Sequence, residues 1–78
     1  MYVYILTTDH SPAHYYIGSS TNLKRRLTEH SAGQCAHTSK YKPWKVKNAF
    51  WFHDGEKAHA FERCLKSSSG RAFAKKHF

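Results

Sequence analysis

A chain of 78 residues holds one domain, residues 1–78, with little left over for a second function. Thirteen Lys and Arg against five Asp and Glu leave a net charge of +8, so the expected partner is a polyanion, nucleic acid before an anionic membrane. No apolar run approaches the ~20 residues that span a bilayer, and the opening "MYVYIL" lacks the basic lead of a signal peptide, so a cytoplasmic protein with reduced thiols is expected. Cys35 and Cys64 lie far apart with no C-x-x-C spacing, which argues against a structural zinc site.

Residues 2–7, "YVYILT", are β-branched or aromatic and read as a strand. "TDHSPAH" is a turn, and "YYIG" returns as the second strand of a hairpin. If Thr7 pairs with Ala13, Tyr4 falls opposite Tyr16. Gly18 ends that strand, and Ser20 or Thr21 caps a helix over about 22–32 that stops at Gly33. "QCAHTSKYKP" has no period and reads as a loop. "WKVKNAFWF" alternates, with Trp44, Val46, Asn48, Phe50 and Phe52 on one face of a third strand. "HDGE" is a turn before a second helix, Glu56 to Lys66. "SSSG" breaks it, with Ser68 or Ser69 capping a last helix, "RAFAKK". The order β-β-α-β-α-α describes an α+β domain, a three-stranded antiparallel sheet flanked by helices.

Helical geometry sorts the polar residues. With Leu23 at zero and about 100° per residue, Leu27 lies at about 40°, His30 at about −20° and Arg26 at about −60°. Lys24, Arg25 and Glu29 fall elsewhere. Arg26 and His30 thus sit in or beside the buried stripe, either as a snorkelling cation and a satisfied ring or as groups facing a ligand. In the second helix Ala58, Phe61 and Leu65 form the stripe, and Glu62 lies about 40° from Ala58. A carboxylate there is salt-bridged, to Arg26 or Arg63, or holds a metal. Tyr4 and Tyr16 are explained by packing alone. Yet a phenol, an imidazole, a guanidinium and a carboxylate on one sheet face also suit phosphodiester hydrolysis. The cation stabilises charge on phosphorus oxygens, phenol or imidazole moves a proton, and the carboxylate holds hydrated Mg²⁺. Lys40, Tyr41, Lys42, Lys45 and Lys47 form a basic stretch beside that site, either an ordinary solvated surface or a track for a phosphate backbone, with Arg25 as a further backbone contact. "SSSG" ahead of Arg71 is a weak candidate for phosphate at a helix N-terminus.

"YVY" at 2–4, "YIG" at 16–18, Arg26 eight residues after Gly18, His30 four residues further and Glu62 on a later helix resemble the GIY-YIG nuclease family over essentially the whole chain, most closely its small stand-alone members. The resemblance implies a metal-dependent endonuclease using one Mg²⁺ or Mn²⁺ ion. In it, Tyr4 and Tyr16 are the motif tyrosines, Gly18 the glycine of the strand-to-helix turn, Arg26 the phosphate-stabilising arginine, His30 the helix histidine and Glu62 the metal ligand. Tyr4 is the favoured activator of water, helped by Tyr16 or His30. The chain departs from the pattern at Tyr2, which stands where the first motif has glycine. It also lacks a late asparagine, since Asn22 and Asn48 do not fit that place. The expected substrate is DNA rather than RNA, read by backbone or structure, such as single strands, flaps or branches, in DNA repair or processing. No appended module selects a sequence, which leaves room for a targeting protein partner. A reading from a different class is a basic nucleic-acid-binding module that keeps the fold without cleaving.

Overall fold

The computed structural model describes residues 1–33 and 43–78. The elements run in the expected order: β1 (Tyr2–Thr7), β2 (Tyr15–Ser20), α1 (Leu23–Ser31), β3 (Lys45–Trp51), α2 (Gly55–Lys66) and α3 (Ser68–His77). β1 is the central strand of an antiparallel sheet ordered β2-β1-β3. The loop expected before Pro43, with Lys40, Tyr41 and Lys42, lies outside the described residues.

β1 is buried on both sides, which explains its continuous hydrophobic run. Tyr4 and Leu6 point to one face, where Trp44, Tyr16, Leu23 and Leu27 join them under α1. Val3 and Ile5 point to the other, against Ala58 and Leu65, with Phe50, Phe52, Phe61 and Phe78 packed around them. The sheet therefore separates two small cores, one covered by α1 and the other by α2 and α3.

Three strand details differ from the sequence reading. The hairpin pairs Thr7 with Tyr15, not Ala13, because Thr8 closes a longer loop: its N–H donates to His14 O at 3.2 Å, and its Oγ1 accepts from His14 N at 3.0 Å. Tyr4 consequently stands opposite Gly18, and Tyr16 opposite Leu6. The slip is two residues, so both tyrosines keep the same face. The second strand also continues through Gly18 to Ser20.

The third difference is a bulge. β3 pairs Asn48 with Ile5 but Val46 with Leu6, so Lys47 is the extra residue. An inserted residue reverses the facing of everything beyond it. Trp44 and Val46 face α1, whereas Phe50 belongs with α2 and α3. The single alternating face expected from Trp44 to Phe52 is split in two.

The helix ends follow side-chain capping. Asn22, not Ser20 or Thr21, caps α1, its Oδ1 accepting from Arg25 N at 3.0 Å, while Ser20 Oγ accepts from Asn22 N. Gly33, at φ 79°, ends the turn after α1 as expected. Asp54 caps α2, accepting from Glu56 N at 2.8 Å. "SSSG" does not break the helices apart. Ser67 alone joins them: its Oγ donates to Cys64 O at 2.6 Å and accepts from Gly70 N at 3.1 Å. Gly70 lies inside α3, and a Cβ built on it would fall 1.7 Å from Cys64 O, so the α2–α3 corner admits only glycine. The hydroxyl of Ser67 occupies the helix terminus suggested for phosphate.

Candidate active site

The α1 face carries an unusual core. His30 and Tyr4 are fully buried, and Tyr4 Oη shares a hydrogen bond with His30 Nε2 at 3.2 Å. The Tyr16 ring lies 4.7 Å, centroid to centroid, from the His30 ring and 6.4 Å from Tyr4. Trp44 closes the cluster at 6.5 Å from Tyr16. Its backbone N–H and C=O are engaged by Ser31 Oγ, which anchors the start of β3 to the end of α1.

Gly18 makes this cluster sterically feasible. A Cβ there would come within 2.6 Å of Tyr4 Oη, 2.8 Å of Tyr4 Cζ and 3.0 Å of Tyr16 Cε1. Its φ is not positive, and it lies within β2 rather than at a strand-to-helix turn. The glycine supplies space for the phenol of the facing strand, not a special backbone conformation.

Burial chiefly, and then the positive charge of Arg26, depress the His30 pKa; Glu29 opposes them weakly. The imidazole is therefore neutral at neutral pH. Arg26 is half-buried, as its place beside the stripe predicts, and its Nη1 donates to Glu29 Oε1 at 2.8 Å. Arg25, one residue earlier, is exposed. Neighbouring arginines thus occupy different environments.

Glu62 occupies a different place from the one expected. The sequence reading put all four kinds of group on one sheet face. Instead α2 lies on the Val3–Ile5 side, and Glu62 Oε1 accepts from Ser19 Oγ at 2.6 Å. Ser19 alternates with Gly18 along β2, so Glu62 is separated from the tyrosine cluster by the thickness of that strand. β2 is an edge strand, and a ligand lying along its edge meets both sides. Glu62 also does not pair with Arg26 or Arg63. Its Oε2 accepts from Lys66 at 2.9 Å, and His59 Nδ1 lies 3.6 Å from Oε1. Burial alone would raise the carboxyl pKa, but hydrogen bonds from Lys66 and Ser19, the Lys66 charge and His59 bring it below its ordinary value. The group is ionised at neutral pH.

Among the described residues no three His, Cys, Asp or Glu cluster as a self-contained metal cage. The donor set fits a different kind of site. Mg²⁺ retains most of its waters and needs as little as one or two protein carboxylates. Glu62, ionised and at an edge, meets that requirement.

The lysines of β3 do not flank the tyrosine cluster. Lys45 pairs with Thr7, on the face opposite Tyr4, and its ammonium is bonded to Asp9. That bond, and then the Lys45 charge, lower the Asp9 pKa. Lys47, at the bulge, lies over the Tyr15 ring at 5.0 Å. Asn48 faces Ile5, away from Tyr16. Ser19, Glu29, Lys66 and Trp44 were not singled out beforehand as site residues. Two had a readable signal, since Glu29 lies three residues after Arg26 and Lys66 four after Glu62.

A scan against protein-family models matches the GIY-YIG catalytic domain over residues 1–76. The chain belongs to the GIY-YIG family. Domains of this family are endonucleases, generally dependent on a divalent metal, so the substrate class is nucleic acid. The GIY-YIG model spans the hairpin, Arg26, His30 and Glu62 together. Comparisons with curated proteins and with solved structures find no match. No helix among the described residues of this GIY-YIG protein is long and apolar enough to cross a membrane.

Proposed function

We propose that this protein is a Mg²⁺-dependent DNA endonuclease that recognises backbone and structure rather than base sequence, acting in DNA repair or processing in the cytoplasm. The observation that carries the proposal is the buried Tyr4–His30 pair packed beneath Gly18, with Tyr16 and Arg26 beside it.

Phosphodiester hydrolysis requires a proton to leave the attacking water and charge to be held on the phosphorus oxygens. Sequence reasoning favoured Tyr4 for the first task, but Tyr4 has no exposed surface. Tyr16, the other phenol of the cluster, is partly exposed, and in this reading it orients the water and moves its proton. Tyr4 and neutral His30 hold the Tyr16 ring in place from beneath. Arg26, held by Glu29 at the cluster's border, stabilises the developing charge. Glu62 holds the metal, with Ser19 fixing the carboxylate. A hydrated Mg²⁺ at that position supplies Lewis-acid stabilisation of the phosphate. Lys66 must yield one carboxylate oxygen to it.

The test is incubation with single-stranded, duplex and branched DNA in Mg²⁺ or EDTA. Cleavage in Mg²⁺ and none in EDTA is expected. Glu62→Gln should lower the cleavage rate about 10³-fold with binding retained. Binding without cleavage on every substrate would leave the non-cleaving module as the function. Normal cutting by Glu62→Gln would remove the metal assignment.

A further inference from the structure

The family resemblance expects glycine where this chain has Tyr2. Tyr2 pairs across the sheet with Trp51, their rings meeting edge to face with centroids 5.0 Å apart. Trp51 is 62% exposed, the most open large apolar side chain among the described residues. Such a pair adds ~0.2–1 kcal/mol to a sheet, which explains their contact but not why an indole faces water.

The position of the pair supplies a reason. Tyr2 alternates in register with Tyr4, so Tyr2 and Trp51 stand on the face that carries Tyr4 and Tyr16. Tyr2 is two residues from Tyr4, ~7 Å along the strand. Beside Tyr2 opens a cleft of about 490 Å³ lined by Leu23, Leu27 and Val46, with Asn22 and Lys24 at its rim. Lys24 and Arg25 are exposed cations at the start of α1, on a chain of net charge +8. Among the described residues the other exposed large aromatics are otherwise engaged: Tyr15 lies under Lys47, and Phe73 packs on His77 and Phe78.

We propose, resting on the nuclease reading above, that Tyr2 and Trp51 form a stacking platform for an unpaired base of the DNA strand being cut, while Lys24 and Arg25 hold its backbone. An open aromatic face beside cations is how single strands are bound without sequence choice. A duplex keeps its base faces stacked within the helix and offers nothing to Trp51. The platform thus selects single-stranded or frayed DNA, and the replacement of the motif glycine by Tyr2 supports the indole from below.

The test is binding in EDTA, at one fixed salt concentration, of a short oligothymidylate and of a short duplex. Trp51→Ala should weaken oligothymidylate binding about tenfold and duplex binding less than about twofold. Trp51→Phe, which keeps a ring against Tyr2, should retain most of the affinity and the wild-type melting temperature. Oligothymidylate should quench the tryptophan fluorescence of the wild-type protein, and duplex should not. Equal losses on the two DNAs, or no quenching by the single strand, would overturn the platform. Because these measurements need no turnover, quenching without cleavage would sink only the nuclease reading, and cleavage without quenching only the platform.

Discussion

The two faces of the sheet are built on opposite plans from one central strand. The side under α2 and α3 is an ordinary apolar core of Val3, Ile5, Ala58 and Leu65 ringed by phenylalanines. The side under α1 buries a phenol and an imidazole that satisfy each other, with a second tyrosine and a tryptophan around them. Burying apolar surface stabilises without regard to direction, whereas buried polar groups stabilise only while every partner is in place. The first plan suits holding a fold, and the second suits holding reactive groups at fixed positions. β1 serves both because alternate residues belong to alternate faces.

The contrast is broken most severely at its glycines. Gly70→Ala should cost about 4 kcal/mol or more, because the added carbon meets backbone rather than a movable side chain; thermal melting would show it. Gly18→Ala should cost less, about 1–3 kcal/mol of overpacking, but should abolish cleavage by displacing Tyr4. If Gly18→Ala melted low and cut normally, the cluster under α1 would be structural only.

The next largest effect separates two adjacent arginines. Arg26→Ala should lower cleavage about 10²–10³-fold, as loss of one transition-state donor does. Arg25→Ala should change it less than about tenfold and weaken DNA binding instead. Equal effects would undo the distinction between the half-buried and the exposed side chain.

A third comparison sets stability on the two sides of the sheet against each other. Leu65→Ala should cost about 2–5 kcal/mol. Tyr4→Phe keeps the ring and should cost about 1–3 kcal/mol, through the lost partner of His30. In cleavage the order should reverse, with Tyr4→Phe the slower of the two under conditions where both are folded.

The mildest prediction concerns pH. The folded-state pKa of His30 is depressed below ~6.5, the unfolded value. The unfolded chain therefore binds the extra proton first. The contribution of His30 to stability is complete above ~6.5 and is lost as pH falls through the folded pKa. Denaturant midpoints across that range should slope less in His30→Gln than in the wild type, and identical slopes would show that burial does not hold the ring neutral.

Much of this was legible beforehand. The strand and helix order, the stop at Gly33 and the inward placement of His30 and Arg26 followed from local chemistry and from the 3.6-residue period. The order of Tyr4, Tyr16, Gly18, Arg26, His30 and Glu62 carried the family resemblance, and the family match covers the same span. What escaped were facts that depend on chains meeting. The bulge at Lys47 leaves no mark in an alternating sequence, yet it moves Trp44 and Phe50 into different cores. The hairpin register depended on how Thr8 closes its loop.

The sequence by itself determined the inventory of elements, the charge that calls for a polyanion and the residue types available for chemistry, because these rest on local periodicity and composition. Tertiary structure alone decided that Tyr4 is sealed beneath Gly18, that Glu62 approaches the edge strand from the opposite face, and that Lys45 and Lys47 point away from the tyrosine cluster. The physical reason is common to all three. A strand shows its neighbours on alternate sides, so which residues share a face is fixed only when register, bulge and covering helix are fixed together.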